Sequence, residues 1–200
     1  MSQLNNIVSY LKSHGPCRVR DLESAGFRRQ DLQYLIKKGS VERLSRGVYQ
    51  AAKAPLLTNP GYVEVFLRAP KAALCLLSAL HFHELTTQLP HQVWIAVEGQ
   101  SRAPKLAYPP LRVVRFSGKA FTQGIEKHKV DHIAVRVYSV AKTVSDLFKM
   151  RNKVGLDVAM EALREAIKSK KTSRAEILKM AKVCRMEKVM RPYLEMEAAL

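Results

Sequence analysis

Ser24-Ala25-Gly26-Phe27-Arg28-Arg29-Gln30-Asp31-Leu32-Gln33-Tyr34-Leu35-Ile36-Lys37-Lys38-Gly39 reads as a tight turn, an amphipathic helix and a glycine stop. Leu32, Leu35 and Ile36 recur at i, i+3 and i+4, so they line one face that can be buried against neighbours. At about 100° per residue, Gln30, Gln33, Tyr34 and Lys37 point the other way, with Arg29 on the flank and Arg28 and Lys38 at the two ends. Gln and Arg can form paired hydrogen bonds to base edges, and Lys and Arg can meet phosphates, so such a face suits the DNA major groove. A solvated helix can look the same in isolation. The flanking sequence decides between the two.

Upstream, Leu4, Ile7, Val8 and Leu11 give a stripe of period 3.6 over Ser2 to Ser13, with Ser2 placed to cap the first turn. His14-Gly15-Pro16 ends that helix. Val19, Leu22 and Ala25 predict a short second helix, after which Gly26 can take the left-handed conformation a sharp turn requires. Downstream, Val41 to Leu44, Ser45-Arg46-Gly47 and Val48 to Gln50 read as strand, glycine turn and strand. Three helices followed by a small basic hairpin predict a winged helix-turn-helix over residues 1–52. Its third helix would enter the major groove, and Arg46 at the hairpin tip with Arg43 on the stem would reach the backbone or minor groove.

Ala51 to Asn59 contains Pro55 and reads as a linker. A second domain over 58–200 is expected to be α+β. Its expected helices are one through Tyr62 to Leu67, a strongly apolar one over Ala72 to Leu85, and Val140 to Met150, capped by Ser139. Leu156 to Ile167, Arg174 to Cys184 and roughly Lys188 to Ala199 follow, with Ser173 and Glu176 in a capping-box pattern. Strands are expected at Val93 to Val97, Leu111 to Phe116 and Ile133 to Tyr138, the last with Arg136 outward.

With 34 Lys and Arg against 17 Asp and Glu, the net charge is +17. So basic a chain implies a polyanionic partner, and dispersal of the cations through folded-looking segments favours a structured nucleic-acid binder. The longest apolar run, Ala72 to Phe82, is too short for a bilayer span and carries Ser78 and His81. Met1 to Ser13 lacks the basic-then-apolar order of a signal peptide, so a cytoplasmic protein without membrane contact is expected. Cys17, Cys75 and Cys184 are far apart and odd in number, which predicts buried thiols rather than disulfides.

No catalytic residue, metal site or cofactor is expected. His81 and His83 at i and i+2 point to different sides of a helix, whereas helical zinc pairs are i, i+4. The sequence has no GxxxxGK, no Asp-x-Asp, no Glu-x-Lys and no Gly-x-Ser-x-Gly. Polymerase-type nucleotidyl transfer needs paired carboxylates for two metal ions, so these absences argue against an enzyme.

Arg43-Leu44-Ser45-Arg46-Gly47-Val48-Tyr49, Ser78-Ala79-Leu80-His81-Phe82-His83-Glu84-Leu85-Thr86 and the stretch Val135 to Phe148 resemble the AbiEi family of antitoxins, over nearly the whole chain. The resemblance implies a type IV antitoxin that represses its own operon through the winged helix, at operator DNA expected to carry inverted repeats. It also implies a C-terminal domain that opposes a nucleotidyltransferase-like toxin without necessarily forming a stable complex. The basic surface for that second task is expected from Lys142, Lys149, Arg151, Lys153, Lys170, Lys171, Lys179, Lys182 and Arg185. Two alternatives are an RNA-binding protein that protects the toxin's substrate and a winged-helix regulator unrelated to any toxin. The RNA reading needs exposed stacking aromatics, whereas Trp94 and Phe116 are expected in a core.

Overall fold

In the computed structural model, which describes residues 3–197, the first apolar stripe forms α1 (Gln3–His14). Ser2, expected to cap it, lies outside the described residues. A short strand, β1 (Cys17–Arg18), leads into α2 (Val19–Ser24) and then α3 (Arg29–Lys37). The chain turns between these helices at Gly26, whose φ of +88° suits a residue without a side chain. Ile7, Leu11, Leu22, Leu32, Leu35, Val41 and Tyr49 share one core, so the i, i+3 edge of α3 is buried as its spacing predicts.

The next two strands, β2 (Val41–Ser45) and β3 (Val48–Ala51), pair antiparallel around Arg46-Gly47, with Glu42 opposite Gln50 and Arg43 opposite Tyr49. β1 pairs antiparallel with β3 through Cys17 and Tyr49, completing a sheet of order β1-β3-β2. β1 has no signature in the sequence, because two residues carry no periodicity. α4 (Pro60–Arg68) follows, capped by the Asn59 side chain, which accepts from the Tyr62 N–H.

Contacts divide the chain into two units, Met1–Pro70 with Lys129–Val135, and Lys71–His128 with Arg136–Leu200. The boundaries expected at residues 52 and 58 do not coincide with this division. α4 belongs with the first unit because its Val63 and Leu67 cluster with Val48 of β3, with Leu57 and Ile133 packed against them. Asp131 adds to the same unit by accepting from the N–H groups of Thr58 (3.1 Å) and Asn59 (3.2 Å).

The remaining elements are β4 (Ala73–Leu74), α5 (Leu76–Phe82), β5 (Val93–Glu98), β6 (Leu111–Phe116), α6 (Lys119–Thr122), β7 (Ile125–Val130) and β8 (Ile133–Tyr138). After them come α7 (Val140–Lys149), α8 (Arg151–Val154), α9 (Leu156–Lys168), α10 (Arg174–Cys184) and α11 (Glu187–Met196). The last of these is the helix expected from about Lys188, whose expected end at Ala199 falls outside the described residues. The strands form a sheet of order β6-β5-β4-β8-β7. β4 lies at its middle, antiparallel to β5 and parallel to β8.

That placement corrects the single helix expected over Ala72 to Leu85. A strand buried on both faces and a buried helix both read as an unbroken apolar run, so composition could not separate them. β7 is not legible in the sequence, for the opposite reason. Its Glu126 to Lys129 are exposed at the sheet edge, where polar residues replace the apolar alternation of a half-buried strand. Ser139 caps α7, accepting from the Lys142 N–H, and Ser173 with Glu176 forms the expected capping box at α10. The protein is a mixed α+β structure.

Candidate nucleic-acid interface

The outer face of α3 presents Gln30, Gln33, Tyr34 and Lys37 to solvent, with Arg28, Arg29 and Lys38 exposed around them. Leu32 and Leu35 anchor the opposite face at 2 % and 5 % exposure. Two of the arginines are oriented by carboxylates. Arg28 donates to Asp31 from Nε and Nη2 (2.9 and 3.1 Å), and Arg29 Nε donates to Glu23 (3.0 Å). Lys38 Nζ sits 5.1 Å from the centre of the Tyr34 ring. The face therefore combines amides able to make paired hydrogen bonds with cations whose directions are partly set.

Arg43 and Arg46 are likewise exposed, and Arg43 Nε donates to the Ser45 carbonyl (3.1 Å). A clasp that no sequence motif announces holds this hairpin. Ser45 Oγ donates to Glu64 (2.7 Å), Glu64 pairs with Arg68, and Arg68 Nη2 donates to the Arg46 carbonyl (2.7 Å). Glu64 and Arg68 are spaced i, i+4 on α4, which signals an intrahelical ion pair in the sequence but not its target. The turn that carries Arg46 is thus tied to α4 through its backbone, which leaves the Arg46 guanidinium to face solvent.

In the second unit, Lys149, Lys153, Lys170, Lys171, Lys179, Lys182 and Arg185 are exposed, whereas Arg151 is half-buried and donates to the Phe148 carbonyl (2.8 Å). Some are already paired: Lys171 donates to the His83 carbonyl, and Lys182 lies 3.8 Å from Glu187.

Lys142 must be withdrawn from that surface, since its side chain is 0 % exposed. α7 is buried from Val140 to Phe148, and Lys142 lies on its inner side, paired with Asp146 one turn on. The ammonium sits 4.5 Å and 4.1 Å from the ring centres of Phe116 and Tyr138. The Cys184 thiol donates to the other Asp146 oxygen (3.2 Å). Burial pushes the Asp146 carboxyl up, opposed by the Lys142 charge, and burial with Asp146 beside it pushes the Cys184 thiol up to about 12. Lys-x-x-x-Asp within an otherwise apolar or small-residue helix was the available signal.

All three cysteines are free and buried. His83 bonds the Tyr138 carbonyl through Nε2 (2.7 Å), and burial lowers its pKa. Among the described residues, no three His, Cys, Asp or Glu side chains gather in a group that could hold a metal ion. Phe116 is buried, and Trp94 is half-buried with the Arg112 guanidinium 5.6 Å from its ring, so neither offers an open stacking platform.

The segment that carries α1, α2, α3 and the β2–β3 hairpin can be compared with known families. Residues 7–52 match the family model described as transcriptional regulator, AbiEi antitoxin. The AbiEi match supports a regulatory antitoxin and coincides with the elements that present the basic face. It ends before α4, so the phrases from Ser78 to Thr86 and from Val135 to Phe148 lie outside it. No curated protein gives a significant match. No helix among the described residues is long and apolar enough to cross a membrane.

Proposed function

We propose that the protein is an antitoxin that binds duplex operator DNA through a winged helix-turn-helix, with α3 in the major groove and the β2–β3 turn on the backbone or minor groove. It thereby represses its own toxin–antitoxin operon. The observation that carries this reading is the two-sidedness of α3: Leu32 and Leu35 fix it to the core while Gln30, Gln33, Tyr34 and Lys37 stand exposed, within the segment that matches the AbiEi regulators. Phosphate contacts by Arg28, Arg29, Lys38, Arg43 and Arg46 would supply salt-dependent affinity, and the α3 amides would discriminate bases. The second unit, with its exposed lysines and Arg185, opposes a nucleotidyltransferase-like toxin of a type IV system.

Electrophoretic shift with DNA from upstream of the gene, against a scrambled duplex of equal length at two salt concentrations, tests the operator reading. Selective binding that weakens as salt rises is expected. Equal affinity for both duplexes would reject sequence-specific repression. Rescue of growth, with the toxin expressed from an independent promoter, tests the antitoxin reading separately.

A further inference from the structure

The first unit contains a partly open cavity of about 580 Å³, bounded by the end of α1, the stretch from Gln50 to Leu57 and the β7–β8 turn. This volume lies in the range of small-molecule sites, roughly 300 to 1,000 Å³. Three features define what it could hold.

Leu11, Pro16, Leu56 and Leu57 give apolar wall and rim, with Leu56 97 % exposed. Lys12, Lys53 and Lys129 bring three cations to the same lining. The acidic lining residue, Asp131, already accepts from the Thr58 and Asn59 N–H groups, one through each oxygen, so it offers little to a cationic ligand. Gln50, only 6 % exposed, also lines the cavity. Its Nε2 donates to Glu42, and its buried Oε1 has no partner among the described residues. That oxygen is itself closed off, so Gln50 contributes wall and not a ligand contact.

The walls are set closely. A Cβ on Gly15 would lie 2.8 Å from the Asp131 carbonyl and 2.9 Å from the His132 Cβ, so the α1 terminus and the turn meet with no space between them. Asp131 and His132 carry positive φ because they form the two-residue turn between β7 and β8.

We propose that this cavity binds a small organic anion with an apolar body, the chemistry of a nucleoside monophosphate. The lysines meet the anionic group and the apolar wall meets the body. This site lies apart from the outer face of α3 and does not depend on how that face is used.

Equilibrium dialysis of the full-length protein without DNA, using adenosine 5′-monophosphate, adenosine and inorganic phosphate as separate probes, tests the proposal. Saturable one-to-one binding of the monophosphate is expected, with adenosine and phosphate each weaker by roughly ten-fold or more. Lys12→Glu with Lys129→Glu, both exposed positions, should weaken the monophosphate by at least about ten-fold, while Lys168→Glu on α9 leaves it unchanged. Absent saturable binding, equal binding of phosphate alone, or insensitivity to the charge reversal would overturn the site.

Discussion

At the scale of single residues, the decisive side chain of the second unit is one that charge alone misassigns. Lys142 is held wholly out of water by Asp146 and two aromatic rings. Lys142→Met would leave the Asp146 carboxylate buried without its partner and should cost about 3 to 5 kcal/mol. Adding Asp146→Leu should recover much of that loss, because the uncompensated charge then disappears. Urea unfolding of the two variants checks the order; a double variant no more stable than the single one would contradict it. His83 supplies a pH test. Burial lowers its folded-state pKa against the ordinary value near 6.5, with the Tyr138 carbonyl, Glu126, His128 and Lys171 as its electrostatic neighbours. A base with a depressed pKa is neutral in both states at high pH, so its effect on stability is absent above about pH 6.5. Below that the unfolded chain takes up the proton first, and stability falls until the folded state also titrates. Melting temperatures should therefore drop more steeply below pH 6.5 in the wild type than in His83→Gln, and parallel curves would remove this histidine as the cause.

At the scale of elements, α3 and the hairpin were legible because each has a period or a turn residue that only one structure satisfies. Gln33→Ala and Lys37→Ala lie opposite the buried edge of α3 and should leave the melting temperature unchanged. A lost base contact should weaken operator binding by roughly 1 to 3 kcal/mol and relax specificity at one base pair. Unchanged affinity in both would mean that α3 does not read the groove. α4 contributes what no motif announced. Arg68→Ala removes the donor to the Arg46 carbonyl and leaves Glu64 with only Ser45, so the turn should lose its fixed direction. Operator affinity should then fall with a shallower salt dependence, as for Arg46→Ala itself, whose loss should reduce the slope by about one unit for one phosphate contact. An Arg68→Ala variant with weakened binding but an unaltered salt slope would point to a general loosening of the first unit instead.

At the scale of the whole molecule, operator reading and toxin opposition are proposed to reside in different units. Full-length protein carrying Gln33→Ala, Lys37→Ala and Arg46→Ala should lose repression yet still rescue growth when the toxin is expressed independently. Loss of both together would show that the two tasks share one surface. The full chain is the proper vehicle for this test, because a cut near Thr58 would strip α4 from its partners at Val48 and Leu57. What the sequence determined by itself was local: the buried edge of α3, the turn at Gly26, the caps Ser139 and Ser173, and a charge of +17. These follow from residue spacing and single-residue chemistry, which do not depend on distant contacts. Tertiary structure alone decided that β4 is a central strand, that β1 joins β3, that Lys142 is interior and that residues 129–135 belong with the first unit. Each of those outcomes depends on partners far along the chain, and apolar runs or isolated charges have the same local pattern whichever partner they find.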